Sequence, residues 1–372
     1  MKPLRVAFVL PGLHRVCRGA EVAFESVASE LARMPDVEVT LFGSGEPRDG
    51  TPYRFVHVGN IPRERFEGWP SLPVMRTEYV WEEASFVPGL LSAYRGRDFD
   101  ISVTCSFPFV NWVLRAMKRS GAPAHVFVTQ NGDHAASTRS REYRYFGCDG
   151  LVCTNPEFYE RNKDRWCCSL IPNGVDPSLF SSGARDRKAF DLPDGVPLAI
   201  VVSALIESKR VAEGIRAAAK VPGLHLLVCG HGPEKDNVVR AGQELMGDRF
   251  HHRTLPREKM PEVYRCADVF LHMSLTEPSA NAYIEALANG LPIVTHDRPV
   301  TRWTLEDTGV LVDATDLDLV AEALSTALGR RTEADIASRR KLAETRFSWS
   351  GIAAQYRSFF LEIIAKREGA LR

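Results

Sequence analysis

The chain has no apolar run long enough to span a membrane. Its longest nearly apolar stretch, Val196–Ile206, is broken by Ser203 and falls short of the ~20 residues that cross a bilayer. It has no charge excess. Its 47 Lys and Arg stand against 47 Asp and Glu, and neither half is strongly basic or acidic, which speaks against a nucleic-acid partner. Its eight cysteines, at 17, 105, 148, 153, 167, 168, 229 and 266, form no Cys-x-x-Cys pair. Several lie in apolar runs (around Cys153 and Cys229), where Cys behaves as a small core residue. No zinc site or disulfide framework is expected, and a reducing cytoplasm is the default compartment. The first apolar run, Val6–Leu10, is not followed by Gly-x-Gly-x-x-Gly but by Pro11-Gly12-Leu13-His14, which disfavours a nicotinamide-dependent dehydrogenase. That same N-terminal run mimics a secretion signal, yet it is short and lacks a small-residue cleavage site, so it reads as a strand.

What is present is globular. At 372 residues, with 44% hydrophobic and 25% charged side chains, the chain has ordinary globular composition and length for two domains. Apolar runs alternate with helical patterns. Strands are expected at Val6–Leu10, Val37–Phe42, Arg54–Val58, Asp100–Thr104, His125–Thr129 and Gly150–Thr154, with a helix over Glu21–Met34 and another over Asn111–Arg119. Residues 60–88 carry Pro62, Pro70, Pro73 and Pro88 among aromatics and read as loop or short helices. A break at 180–195 precedes a second alternation, with strands at Leu198–Ser203, Leu224–Cys229, Val269–Met273, Pro292–Thr295 and Gly309–Val312, a short segment at 250–254, and helices near 210–219, 234–246, 258–265, 280–289 and 316–328. The tail Ala353–Lys366 reads as an amphipathic helix. Two successive β/α alternations predict an α/β protein of two Rossmann-like, doubly wound domains facing a cleft. The expected division is residues 1–185 and 186–346, with 347–372 returning to the first domain.

The segment Glu277-Pro278-Ser279-Ala280-Asn281-Ala282-Tyr283-Ile284-Glu285 holds the strongest constellation. A strand runs into a loop carrying one acid, and the chain then turns into a helix carrying a second. Small residues at the helix start would leave N–H groups free for a phosphate. Glu285, about one turn in, could reach a diol, and Glu277 a hydroxylated group beside the phosphate. Taken alone, the bland alternative carries about equal weight: an acid near a helix start, favoured by the dipole.

The neighbourhood changes that weight. The segment resembles the Glu-x7-Glu motif of retaining glycosyltransferases of the GT-B fold, glycosyltransferase family 4. Three further segments resemble that family in the right order: Arg18-Gly19-Ala20-Glu21 its Gly-Gly-x-Glu loop, Pro172-Asn173-Gly174-Val175-Asp176 its hinge signature, and Gly230-His231-Gly232-Pro233-Glu234 its Gly-x-Gly-Pro-Glu loop. The resemblance spans about residues 3 to 345. It implies a nucleotide-diphosphate sugar donor, UDP-glucose as the default, held by Gly19, Lys209, Arg210, Arg253, Thr254, Glu277, Ser279, Ala280, Asn281, Ala282 and Glu285. It also implies a basic pair clamping the diphosphate. Lys209 fits the Lys position. The Arg position is Ala204, a departure for which Arg210, next in the chain, is the nearest substitute.

On the acceptor side, relatives place a His at the end of the strand His125–Thr129. Gln130 stands there instead, with Asn131, Asp133 and His134 following. Gln130, Asn131 and Asp133 are the acceptor-binding candidates. Glu277, Lys209, Asp133 and His134 are the catalytic ones. His134 as an ordinary loop residue is the slightly weightier alternative. Arg139, Arg141 and Arg144 with Tyr143 and Tyr145 read first as a solvated face, and otherwise as a contact for an anionic, lipid-linked acceptor or a membrane headgroup. His251-His252 has no carboxylate at ligand spacing, so no metal is expected, and no cofactor beyond the donor. The implied activity is hexosyl transfer to a hydroxyl of a sugar or lipid-linked sugar acceptor, in polysaccharide or glycolipid biosynthesis. A nucleotide-sugar epimerase or phosphorylase on the same scaffold, and a non-catalytic sugar-nucleotide-binding protein, are the alternatives.

Overall fold

The computed structural model describes residues 2–117, 123–137, 141–277 and 281–370. The chain divides into two compact units, Met1–Asn173 with Trp349–Arg372, and Gly174–Ser348.

In the first unit the strands β1 (Leu4–Val9), β2 (Val37–Gly43), β3 (Arg54–His57), β4 (Ile101–Thr104), β5 (Ala124–Val128), β6 (Gly150–Cys153) and β7 (Cys168–Leu170) form one sheet of order β3-β2-β1-β4-β5-β6-β7. Every pairing is parallel. The helices are α1 (Gly19–Ala32), α2 (Glu78–Ala93), α3 (Phe109–Ala116) and α4 (Pro156–Asn162). Alternate side chains of β1 serve opposite faces, as the pleat requires. Val6 and Phe8 pack with Phe24, Val27 and Leu31 of α1, spaced three and four apart, whereas Ala7 and Val9 pack with Phe86 and Leu90 of α2. The last helix, α12 (Trp349–Ala370), joins the first of these faces through Ile352, Tyr356, Phe359 and Phe360.

In the second unit β8 (Leu198–Val202), β9 (His225–Cys229), β10 (Phe250–Arg253), β11 (Val269–His272), β12 (Ile293–His296) and β13 (Val310–Val312) form a six-stranded sheet of order β10-β9-β8-β11-β12-β13, again parallel throughout. On one face lie α5 (Val211–Ala219), α6 (Lys235–Met246) and α10 (Leu317–Gly329), packed on Ala199 and Val201. On the other lie α7 (Met260–Cys266), α8 (Asn281–Ala288) and α11 (Glu333–Phe347), packed on Leu198 and Ile200. The short α9 (Pro299–Leu305) follows β12. Local signals fix several helix starts: Asn155 accepts from the Phe158 N–H, Asp316 from those of Asp318 and Leu319, and Thr332 exchanges side-chain and main-chain bonds with Asp335.

Both units are therefore doubly wound α/β sheets, as the two alternations in the sequence predict. Three details differ from the sequence reading. The chain divides after Asn173, not after 185, because residues just past the hinge already belong to the second unit. Val175 donates to the Phe347 carbonyl at 2.7 Å, Phe180 is in ring contact with Tyr264, and Arg187 bonds Asp268 at 2.8 Å. Within 60–88, a helix begins at Glu78 and carries Pro88 inside it. Burial of Phe86 and Leu90 against β1 outweighs the missing main-chain donor. Neither α9 nor α11 has a counterpart among the expected elements. Among the described residues no helix is long and apolar enough to cross a membrane.

Candidate functional site

In parallel sheets ligands gather outside the carboxyl ends of the strands, and in the second unit four loops converge there. The loop after β8 and the loop after β9 run against each other, with Leu205 donating to the His231 carbonyl at 3.0 Å and Glu234 to that of Leu205 at 2.9 Å. This closeness explains the two glycines. A Cβ on Gly230 would lie 1.9 Å from the Ser203 carbonyl oxygen, and one on Gly232 would lie 2.3 Å from that of Leu205. The loop after β8 then makes a single 3-10 turn, Glu207–Lys209, and Arg210 enters α5 in the left-handed region at φ 51°.

That turn presents Lys209 to the loop after β11. The Lys209 ammonium and the Glu277 carboxylate form an ion pair, with side-chain exposures of 22% and 9%. The buried His272, last residue of β11, brings its Nε2 to 3.3 Å from Glu277 Oε2. Burial raises the Glu277 carboxyl, but the His272 contact and the Lys209 charge outweigh it and hold it at about 2. Glu277 is thus an anion at any ordinary pH. Its main-chain oxygen accepts from Arg298 Nη1 at 3.3 Å, and Arg298 lies just past β12.

Glu285, also buried, sits on α8 away from this pair. Its Oε2 accepts from the Tyr264 hydroxyl at 3.0 Å, and its Oε1 lies 3.2 Å from Arg257 Nη1. The Tyr264 phenol is pushed well up, by burial first and then by the Glu285 charge. Asn281 and Ala282 open α8 as described, while Ser279 and Ala280 lie outside the described residues. Arg210 turns elsewhere, its Nη1 donating to the Ala314 carbonyl at 3.1 Å. Arg253 bonds the Phe190 carbonyl at 3.0 Å and lies 3.6 Å from the Asp191 carboxylate. Thr254 is exposed and donates to the Gly230 carbonyl at 3.2 Å.

In the first unit Gly19 is the first residue of α1. Two residues on, Glu21 is buried against Gly12, where a Cβ would stand 2.1 Å from Glu21 Oε1. Burial raises its carboxyl. At the end of β5, Gln130 and Asn173 exchange side-chain bonds, one of them 3.1 Å. Asn131 is exposed and donates to the Tyr79 hydroxyl at 3.0 Å. Asp133 is held by Arg161 Nε at 2.9 Å and Asn162 Nδ2 at 2.8 Å. His134 stacks on Phe107 and Tyr143, with ring centres 5.3 and 5.8 Å apart, and burial lowers its pKa. Asp133 and His134 are therefore tied into local packing rather than presented as an acid–base pair. Arg141 and Arg144 are exposed. Arg139 lies outside the described residues. Among the described residues, no three His, Cys, Asp or Glu side chains cluster as metal ligands would.

The structure thus joins Lys209 with Glu277 and leaves Arg210 and Arg253 engaged with main-chain carbonyls. It adds four residues that sequence reasoning missed: His272, Tyr264, Arg257 and Arg298. The only trace of His272 in the sequence is a histidine inside an otherwise apolar strand.

Residues 183–345 match the family model of glycosyl transferases group 1. The lipopolysaccharide core biosynthesis glycosyltransferase LpsE of Rhizobium meliloti is 28% identical over 223 residues, 58% of this chain and 62% of that protein. The D-inositol 3-phosphate glycosyltransferase of Mycolicibacterium smegmatis is 33% identical over 204 residues, 51% of this chain and 46% of that protein. The chain thus spans less than two thirds of either relative's length. Among solved structures, sucrose-phosphate synthase from Thermosynechococcus elongatus superposes with a TM-score of 0.78 at 19% identity, covering 98% of this chain and 100% of that one. Anabaena Alr3699/HepE in complex with UDP-glucose superposes with a TM-score of 0.72 at 14% identity, covering 99% and 100%. These likenesses are of fold.

Proposed function

We propose, from the match of residues 183–345 to the family model of glycosyl transferases group 1, that the protein is a retaining glycosyltransferase. It moves a hexose from a nucleotide-diphosphate sugar, UDP-glucose as the first choice, to a hydroxyl of a sugar or lipid-linked sugar acceptor. The observation that carries the reading is the Lys209–Glu277 pair at the adjoining carboxyl ends of β8 and β11. It sets a cation and a fixed anion side by side, for a diphosphate and for sugar hydroxyls respectively. Glu285, braced by Tyr264 and Arg257, is suited to the diol of a ribose. The Anabaena protein, of the same fold, was solved in complex with UDP-glucose, which supports a uridine donor here.

In the proposed reaction the bond from sugar C1 to the diphosphate oxygen breaks, and both its electrons leave with the diphosphate. The acceptor oxygen bonds to C1 from the same face and its proton passes to a phosphate oxygen of the leaving group. Charge on the diphosphate grows along this path, so Lys209 stabilises the transition state more than the ground state. Glu277, ionised throughout, orients the sugar without taking a proton. We place the donor on the second unit and the acceptor on the first, in the cytoplasm. The biosynthesis of a polysaccharide or glycolipid is the proposed context.

The test is incubation with a panel of nucleotide sugars, with and without simple sugar acceptors, following nucleoside diphosphate release and the anomeric configuration of any product by NMR. Release that Lys209→Ala reduces at least tenfold, with a retained anomer, is the expected result. An inverted product would exclude retention. Sugar isomerisation without acceptor would indicate an epimerase, and binding without turnover a non-catalytic sugar-nucleotide protein, the reading that Ala204 favours.

A further inference from the structure

We propose that Arg298 supplies the second cation for the donor diphosphate, alongside Lys209; the inference rests on the donor reading above and extends it to a residue on a different loop. The place where the resembling enzymes carry an arginine is Ala204 here, and a methyl group offers no charge. Arg210 does not replace it, because its left-handed backbone, φ 51°, and its bond to the Ala314 carbonyl at 3.1 Å direct it to the loop after β13. A single ammonium would then face a group whose negative charge rises as the glycosidic bond breaks.

Arg298 comes to the same residue from the other side. It follows β12, which pairs with β11, so its loop opens at the same sheet edge as that of Glu277. Its Nη1 donates to the Glu277 main-chain oxygen at 3.3 Å, while the Glu277 carboxylate holds the Lys209 ammonium. Guanidinium and ammonium therefore flank one glutamate, one at its carbonyl and one at its side chain. Arg298 is half-buried, less hydrated than a surface arginine. Its planar fork of five N–H donors suits a diphosphate bridging two oxygens, which a lysine cannot match.

The experiment is calorimetric titration of the full chain with UDP, ADP and GDP and with the matching monophosphates. The proteins are wild type, Arg298→Ala, Arg298→Lys, Lys209→Ala, and Arg298→Ala combined with Ala204→Arg. For the tightest diphosphate, Arg298→Ala is expected to lose roughly 10- to 100-fold in affinity, the range of a charge-assisted hydrogen bond. The matching monophosphate should lose less than about threefold. Ala204→Arg is expected to restore the diphosphate preference, which repair of a merely structural defect would not do. Equal losses for diphosphate and monophosphate, or no loss, while Lys209→Ala still weakens the diphosphate selectively, overturn the role of Arg298 and leave the donor reading standing. Failure of the wild-type protein to bind any of the diphosphates overturns both. Should Arg298→Ala prove unfolded by circular dichroism, the same comparison made on Arg298→Lys decides, since a lysine keeps the charge but not the fork.

Discussion

Glu277→Gln isolates the ion pair at the centre of the site. In the folded chain the carboxyl is held at about 2 against an ordinary 4.5. Because the folded value is the lower one, ionisation of Glu277 favours the native state. That contribution is complete above pH 4.5 and disappears as pH falls through about 2. The gap corresponds to about 3 kcal/mol at neutral pH. At pH 3.5 the unfolded carboxyl is already mostly protonated, and the contribution shrinks to about 2 kcal/mol. Glutamine stands in for the neutral form and leaves Lys209 and His272 without their anion, so the variant should be less stable by about 3 kcal/mol at pH 7. Paired urea titrations of wild type and variant at pH 7 and pH 3.5, followed on the transition of the second unit, measure both gaps. A variant as stable as wild type at pH 7, or a gap that does not narrow in acid, would refute the claim that Lys209 and His272 stabilise the Glu277 anion.

Tyr264→Phe removes the hydroxyl that donates to Glu285 Oε2 at 3.0 Å. It should weaken nucleotide binding by roughly 3- to 10-fold, less than Glu285→Ala, as a lost hydrogen bond of about 1 kcal/mol implies; unchanged calorimetric affinity in both variants would remove Glu285 from the site. Asp268→Ala strips the partner from Arg187, whose side chain is 6% exposed, and from Arg185 and Arg331. It should cost the second unit about 3 kcal/mol, and a urea midpoint within error of wild type would contradict that. Glu83 offers the opposite sign from Glu277. Burial pushes its carboxyl up to about 8, so in the folded chain it is largely protonated at pH 7, and native stability falls as pH rises from 4.5 to about 8. Glu83→Gln should therefore raise the melting temperature at pH 8 and give no gain at pH 4; a gain of equal size at both would sink the assignment.

What the sequence made legible was whatever is local along the chain. Most strands of both sheets are each contained in one stretch of residues, and periodicity reveals them; the Gly230-His231-Gly232 loop and the Glu277…Glu285 frame are equally local, and their resemblance to family motifs marks them. Lys209 was legible through the same resemblance, as the residue at the family's lysine position in the loop after β8. What stayed hidden was contributed across strands. His272 sits inside a run whose alternation reads as core, Tyr264 and Arg257 belong to a different β/α unit from the glutamate they hold, and Arg298 reaches Glu277 only because β12 lies beside β11. The helix at Glu78–Ala93 was hidden by Pro88, a strong local signal overruled by burial of Phe86 and Leu90. Adjacency in the chain also misled: Arg210 follows Lys209, yet its left-handed φ sends it to Ala314.

The same pairing bears on how a chain of zero net charge would, on the proposed reading, handle a doubly charged leaving group. Lys209 is not an idle cation awaiting an anion, because Glu277 already neutralises it. On the proposed reading, an arriving diphosphate must draw the ammonium from the carboxylate, and the carboxylate then needs new donors. The hexose hydroxyls are the donors that arrive with the same ligand. A nucleoside diphosphate without its sugar takes the cation but leaves Glu277 unsatisfied, and a buried anion that loses its partner is costly. The intact donor meets both demands at once. The site should therefore prefer the whole nucleotide sugar to the free diphosphate, a discrimination built from two side chains whose charges cancel in any count over the chain.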